Sequence, residues 1–208
     1  MRSEAEGKAP GPAVVFDFDG TLIDTREIKT RNYLLAFEGI FKTAEAQRPV
    51  IVASCLRTSG ANRFLQLQDT LEALGLEANA EQREAWSRLY SSLNGGSAAE
   101  VEEFPSVRPV LAQLHRSGFA LFAASGILDD EFRGELERRD LSSQFLEAKG
   151  GDKLGFLLEL RQRGFDPVLF VGDTEYDRET AARAGVPFFM VADDESIRAL
   201  ARMLTAEG

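Results

Sequence analysis

Hydrophobic and polar residues follow two patterns along the chain, continuous apolar runs and apolar residues at helical spacing. The first run, Ala13 to Phe16, is short and ends at an acidic residue, Asp17. Such a run is typical of a strand that is buried on both faces of a parallel sheet. Comparable runs occur later, at 119–124 and 168–171, with further candidates at 145–148 and 186–191. We expect a strand at each of these positions.

Residues 22 to about 104 contain no long run of the strand type and are expected to be helical. Apolar residues recur there at near-helical spacing in three stripes, at 27–41, 64–74 and 85–93. Trp86 lies in the third stripe, where a large aromatic side chain usually serves packing. We therefore predict a small helical bundle, inserted directly after the first strand, with Trp86 in its core.

From Pro105 onward, predicted strands alternate with predicted helices near 107–117, 129–140, 152–161, 181–184 and 195–204. This alternation implies right-handed crossovers and one parallel sheet with helices on both faces. The predicted fold class is α/β, a Rossmann-like doubly wound parallel sheet with an inserted small all-helical domain. We place the core domain at 13–22 and 105–208, the helical domain at 23–104, and a disordered tail at 1–12.

Composition narrows the classes of partner. The 208 residues carry a formal net charge of −10, which argues against nucleic acid because phosphate backbones require clustered Lys and Arg. Cys55 is the single cysteine, so an intrachain disulfide is impossible and a reducing, cytoplasmic location is expected. No apolar run approaches the length of a membrane span, and the first twelve residues lack the apolar segment of a secretory signal. We expect neither a nucleic-acid nor a membrane partner.

Three of the predicted strands end in a polar residue with useful chemistry, at Asp17, Ser125 and Asp173. Because the carboxyl ends of parallel strands meet at one edge of a sheet, these side chains should share one crevice. A further acid, Asp19, follows the first strand, and Lys153 stands at a predicted helix start. Carboxylates at the mouth of a buried strand are costly to desolvate unless a cation or proton accompanies them. A bound divalent metal would supply that compensation.

Taken together, these segments resemble the four motifs of the haloacid dehalogenase superfamily, in its phosphatase form. Residues 17–21, DFDGT, resemble the first motif, while Ser125 and Lys153 match the second and third. Residues 172–177, GDTEYD, resemble the fourth motif, in which a second acid follows the first after four residues. The helical insertion between the first two motifs resembles the small helical cap of that superfamily. The resemblance covers about residues 13 to 192.

The resemblance implies a mechanism with a role for each of these residues. Mg²⁺ would be held by Asp17, the backbone carbonyl of Asp19, and Asp173. Asp17 would attack phosphorus and form an aspartyl-phosphate, and Asp19 would act as general acid and then as general base. Ser125 and Lys153 would contact the phosphoryl oxygens, where the charge of the transition state spreads.

Two assignments stay open at this point. Lys149 lies four residues before Lys153 and could fill its role if the loop at Gly150 and Gly151 folds back, although Lys153 is preferred because it opens a helix. Asp177 could support the metal site through water or hold the motif lysine. It could also be only a favourable charge at a helix start.

The predicted cap is expected to choose the substrate. Its most unusual stretch places Arg57 and Arg63 on either side of a glycine turn before a helix. Arginine side chains and helix starts both suit anionic or hydroxyl-rich ligands, but these two residues could equally be solvated surface charges. Lys29 and Arg31, on the first cap helix, are poorer candidates for substrate contact.

The function expected from these residues is that of a cytoplasmic, Mg²⁺-dependent phosphatase. Its substrate would be a small phosphorylated metabolite, such as a sugar phosphate, a phosphoglycolate-like acid or a nucleotide. One alternative is a sugar phosphomutase that uses the same aspartyl-phosphate chemistry. Another is a ligand-binding relative without catalytic activity, against which the presence of Asp17, Asp19 and Asp173 argues.

Overall fold

A parallel sheet organises the molecule. The computed structural model describes residues 11–97, 100–165 and 168–205, so the predicted tail over 1–12 lies outside the described residues except for Gly11 and Pro12. The strands are β1 (Ala13–Asp17), β2 (Ala120–Ser125), β3 (Glu147–Gly150), β4 (Val168–Gly172) and β5 (Phe188–Met190). They form one sheet in the order β3-β2-β1-β4-β5, and every neighbouring pair is parallel. The chain winds outward in both directions from β1, which confirms the predicted doubly wound α/β fold.

Helices fill the connections. They are α1 (Arg26–Phe41), α2 (Arg48–Arg57), α3 (Arg63–Leu74), α4 (Ala80–Gly96), α5 (Val107–Arg116), α6 (Asp129–Arg138), α7 (Lys153–Gln162), α8 (Glu175–Ala184) and α9 (Asp194–Thr205). Alternate residues of β1 enter two different cores. Val14 and Phe16 join a cluster with residues of α5, α6 and α9, whereas Val15 joins a cluster with residues of α7 and α8. Burial on both faces explains why this strand is apolar throughout.

Two edge strands differ in extent from the prediction. β3 begins at Glu147, two residues later than the apolar pattern suggests, because its register is set by pairing of Glu147–Gly150 with β2. All four residues of β3 are only half-buried, so their pattern carries little hydrophobic signal. β5 covers only Phe188–Met190, and it begins directly after Pro187, which has no N–H group to donate to the sheet.

The helices α1 to α4 form a separate bundle between β1 and β2. Their apolar side chains make a cluster of their own around Tyr33, Phe37 and Trp86. Trp86 is fully buried, as predicted, and its ring centroid lies 5.3 Å from that of Tyr33. The sequence pattern did not indicate α2, whose buried positions are limited to Ile51, Ser54 and Cys55. So few buried positions leave no apolar stripe to detect.

The chain crosses between sheet and bundle at two adjacent places. Ile23 and Glu103 form an antiparallel bridge there, and the Phe104 N–H donates to the Leu22 carbonyl at 3.2 Å. The predicted domain boundaries, after residues 22 and 104, stay predictions. Within the described part of the chain, none of the helices is both long and apolar enough to cross a membrane.

Candidate active site

Asp17 occupies the centre of the candidate site. It is the last residue of β1, the middle strand of the sheet, and it is almost completely buried. Lys153, at the first position of α7, brings its Nζ atom to 2.7 Å from Asp17 Oδ1. The other carboxylate oxygen, Oδ2, accepts a long hydrogen bond of 3.5 Å from the Thr21 hydroxyl. One carboxylate oxygen of Asp17 is thus held by an ammonium group, while the other has only a long hydrogen bond to Thr21.

The loop after β1 joins the first and last motifs. Gly20 has a φ of +81°, and a Cβ atom at this position would lie only 2.1 Å from Asp173 Oδ2. Glycine is therefore required both for the backbone conformation and for the close approach of Asp173. The turn places the Thr21 hydroxyl 3.4 Å from Asp173 Oδ1, so that Thr21 contacts both carboxylates. Thr21 lies within the first motif, but no role was predicted for it from the sequence.

Asp177 holds Lys153 from the opposite side. Its Oδ1 atom lies 2.7 Å from Lys153 Nζ, and its Oδ2 atom accepts a 3.2 Å hydrogen bond from the Thr174 backbone N–H. Thr174 caps α8 and also donates its hydroxyl to Asp177 Oδ2. Both carboxylate oxygens of Asp177 are thus engaged by the protein. One of these oxygens thus contacts Lys153, the lysine that resembles the third motif.

The carboxylates lie close enough together to hold a metal ion. Asp17, Asp173 and Asp177 each offer an oxygen, and these oxygens lie within 4.8 Å of one another. Burial raises the pKa of Asp17 well above its usual value, against the opposing charge of Lys153. Burial, followed by the charge of Asp177, raises the pKa of Asp173 to about 6. Burial by itself lowers the pKa of Lys153, but the charges of Asp17 and Asp177 outweigh this effect and hold it above its usual value.

Burial is the largest single influence on each of these pKa values, and neighbouring carboxylates further raise those of Asp17 and Asp173. A single ammonium group faces three carboxylates, and oxygen ligands of this kind suit a hard divalent cation. The residues present therefore fit a metal site. Asp17 and Asp173 are the members with an oxygen not held by a strong hydrogen bond or ion pair.

Asp19 and Ser125 meet on the other side of Asp17. The buried Ser125 hydroxyl lies 3.4 Å from Asp19 Oδ2, which joins the end of β2 to the loop after β1. Lys29, on α1, brings its Nζ atom to 2.5 Å from the same oxygen. The sequence analysis placed Lys29 among the poorer candidates for substrate contact and did not predict its contact with Asp19. The feature of the sequence that could have indicated this contact is the position of Lys29 in the first turns of the helix that directly follows the first motif.

A cavity of about 640 Å³ opens over these groups and is lined by both the sheet domain and the helical bundle. The structure brings Asp17, Asp19, Lys153 and Asp173 to its floor and Arg57 and Arg63 to its walls. Each arginine already has an acidic partner. Arg57 pairs with Asp69 at 2.5 Å, while the buried Arg63 pairs with Glu131 of α6 and donates to the Ser91 hydroxyl at 2.5 Å.

Lys149 lies away from these groups. Its Nζ atom pairs with Glu159 at 3.3 Å and lies 5.9 Å from the centroid of the Phe156 ring. Of the two lysines that the sequence left open, the structure places Lys153 at the carboxylates.

Comparison with known proteins agrees with this geometry. Two similar curated proteins are phosphoglycolate phosphatases. That of Vibrio cholerae is 26% identical over 184 residues, covering 83% of this chain and 80% of the relative. That of Mesorhizobium japonicum is 25% identical over 192 residues, covering 86% and 82%.

Solved structures share the fold. A hydrolase from Pseudomonas syringae superposes with a TM-score of 0.77 at 16% identity, covering 94% of this chain and 98% of that one. A putative β-phosphoglucomutase from Thermotoga maritima superposes with a TM-score of 0.58 at 23% identity, covering 91% of each chain.

A family model settles the membership that the motifs suggested. The model described as haloacid dehalogenase-like hydrolase matches residues 12–185, which is most of the chain. This match takes in strands β1 to β4, the inserted helices and all of the motif residues. It confirms the predicted superfamily and the predicted class of enzyme, a hydrolase. The chain belongs to the haloacid dehalogenase-like hydrolases.

Proposed function

We propose that the protein is a Mg²⁺-dependent phosphatase that hydrolyses the phosphate monoester of a small metabolite. One observation carries the proposal: the buried Asp17 is fixed by Lys153 through one oxygen, while its other oxygen keeps only a long contact beside the cavity. A carboxylate held in this way is oriented for attack on a phosphorus atom. The names of the similar curated proteins, phosphoglycolate phosphatases, support the same class of reaction.

The metal would be held by Asp17, Asp173 and the backbone carbonyl of Asp19. When bound, Mg²⁺ supplies positive charge that allows an anionic phosphate to approach a carboxylate nucleophile. The raised pKa values of Asp17 and Asp173 support a cation here, because burial, the largest cause of both shifts, and the neighbouring carboxylates make the charged forms costly without one. Asp177 would act by holding Lys153, since its own oxygens are engaged.

The reaction would proceed in two displacements. A carboxylate oxygen of Asp17 forms a bond to phosphorus while the bond from phosphorus to the leaving oxygen breaks, giving an aspartyl-phosphate. Asp19 donates a proton to the leaving oxygen, and the Lys153 ammonium and Ser125 hydroxyl contact the phosphoryl oxygens. Water then forms a bond to phosphorus and gives a proton to Asp19, while the bond from phosphorus to the Asp17 oxygen breaks. The products are the alcohol, inorganic phosphate and the regenerated Asp17.

The substrate would enter between the sheet domain and the predicted cap, where Arg57 and Arg63 are candidates for contact with it. Sugar phosphates and phosphoglycolate-like acids both fall within the proposed class, and the cavity of about 640 Å³ has room for either. The single Cys55 and the net charge of −10 support a cytoplasmic protein without a nucleic-acid partner.

The test is turnover of an aryl phosphate and of a panel of phosphorylated metabolites, with and without Mg²⁺, measured as released phosphate. We expect Mg²⁺-dependent release that Asp17→Asn abolishes, while Glu84→Gln, an exposed carboxylate on α4, retains full activity. Full turnover by Asp17→Asn would contradict the proposal. If a sugar phosphate gives isomerised product in place of free phosphate, the protein is a phosphomutase. If nothing is turned over, the binding alternative is favoured.

A further inference from the structure

The cations that line the cavity differ in how firmly they are held. They are Arg26, Lys29, Arg57, Arg63 and Lys153. Lys153 is buried between two carboxylates, and the buried Arg63 contacts Glu131 and two serine residues of α4. Arg57 pairs with Asp69 of its own helical bundle, and Arg26 contacts Asp24 and the carbonyl of Ala192. The contacts of these four cations are therefore with groups other than Asp19, the acid proposed to protonate the leaving oxygen.

Lys29 is held differently. Its ammonium contacts Asp19 Oδ2 at 2.5 Å, and its side chain keeps 23% of its surface exposed. It extends from α1 of the helical bundle to an acid of the sheet domain, so it spans the place where the two meet. The partner, Asp19, is the residue that the proposed reaction places against the leaving oxygen.

The position of Lys29 indicates which part of the substrate it would contact. In the proposed reaction the leaving oxygen lies within hydrogen-bond distance of Asp19. Because the Lys29 ammonium is 2.5 Å from that carboxylate, a group attached to the leaving oxygen can come within its reach. A carboxylate or second phosphate there would gain a charge-assisted hydrogen bond, whereas a neutral group would gain no comparable contact.

We propose that Lys29 is a specificity-determining residue that binds a second anionic group of the substrate, carried next to the leaving oxygen. The substrate class is thereby narrowed to small phosphate monoesters that bear a carboxylate or a further phosphate close to the ester. This inference rests on the proposed phosphatase function. Lys29 would exchange its contact with Asp19 for one with the substrate.

The experiment compares 2-phosphoglycolate with its neutral amide, both as substrates and as competitors of aryl phosphate hydrolysis. These probes differ in one charge, which lies on a carboxylate whose carbon is two bonds from the leaving oxygen. We expect the wild-type protein to prefer the acid, and Lys29→Met to reduce that preference in kcat/KM by about 10- to 100-fold, chiefly through KM. Turnover of the amide should fall by a smaller factor than turnover of the acid, since loss of the contact with Asp19 affects both probes while loss of the contact with the carboxylate affects only the acid. Lys29→Arg should keep most of the preference.

Arg31→Met is the matched control, since Arg31 lies on the same helix and pairs with Glu100 outside the cavity. It should leave the preference for the acid unchanged. An equal loss on both probes in Lys29→Met would show that Lys29 only positions Asp19, and would overturn the inference. Equal affinity of the wild-type protein for acid and amide would overturn it as well. Either result can be obtained while Mg²⁺-dependent aryl phosphate hydrolysis persists, so the proposed function would stand.

Discussion

The Nζ atom of Lys153 lies 2.7 Å from Oδ1 of Asp17, and both side chains are almost entirely buried. Such a pair is expensive to desolvate, and its mutual attraction offsets that cost only when further hydrogen bonds complete the arrangement. Asp177 completes it with a second contact to Lys153, also of 2.7 Å. The arrangement fixes the proposed nucleophile in position. The two carboxylates carry more negative charge than one ammonium group neutralises, which favours the binding of a cation.

The first prediction concerns Lys153. Lys153→Met removes the ammonium from between two buried carboxylates, so we expect the free energy of unfolding to fall by about 3–5 kcal/mol and phosphatase activity to vanish. Lys149→Met should change stability by no more than about 0.5 kcal/mol and leave activity intact, because Lys149 is 44% exposed and lies away from the site. Urea unfolding and phosphate release measure the two effects. Loss of activity in Lys149→Met alone would show that the third-motif assignment is wrong.

The second prediction concerns metal binding without turnover. A cation that binds the folded state stabilises it by about 2.7 kcal/mol at a concentration 100 times its dissociation constant. We therefore expect Mg²⁺ to raise the melting temperature of the wild-type protein, and Asp173→Asn to remove most of that rise. Glu84→Gln, an exposed change on α4, should preserve it. An equal rise in Asp173→Asn, observed by differential scanning fluorimetry, would place the ion elsewhere.

The third prediction separates backbone strain from steric conflict at the site. Gly20 and Gly118 both have positive φ angles, +81° and +85°, but a Cβ atom meets Asp173 only at Gly20. Alanine at either position should cost on the order of 1 kcal/mol from backbone strain. Only Gly20→Ala should also weaken Mg²⁺ binding and activity, because it must displace the Asp173 carboxylate. Isothermal titration with Mg²⁺ distinguishes the two variants, and equal Mg²⁺ affinity in both would contradict the explanation.

The positions of Asp17, Ser125 and Asp173 could be predicted because each ends or follows an apolar run, and a parallel sheet brings the carboxyl ends of its strands to one edge. Asp17 at the end of β1 and Asp173 directly after β4 follow this rule. The contact of Lys29 with Asp19 could not be predicted in this way, because it depends on how α1 is oriented against the sheet. The same holds for Arg63, whose partner Glu131 lies 68 residues away in sequence. Local pattern specifies the strands and their ends, whereas these contacts depend on tertiary packing.

The last prediction uses the single cysteine as a probe of the helical bundle. Burial raises the pKa of the Cys55 thiol from an ordinary value of 9.0 to about 12, although Thr30 and Lys29 nearby oppose the shift. The thiol should therefore stay protonated at pH 9, and iodoacetamide should modify it far more slowly in the native protein than in urea. The sign of the stability effect follows from the same shift. Above pH 9 the unfolded chain loses this proton while the folded protein keeps it, so stability falls as pH rises toward 12.

For this one group the loss amounts to about 1.4 kcal/mol at pH 10. Tyr33 and Tyr90 also have raised pKa values, because both are buried, and they add their own dependence on pH. Comparison with Cys55→Ala isolates the thiol, since the tyrosines are common to both proteins. The difference in unfolding free energy between wild type and Cys55→Ala should shrink by about 1.4 kcal/mol from pH 7 to pH 10. A constant difference across that range would mean that the thiol ionises as readily in the folded protein as in the unfolded chain.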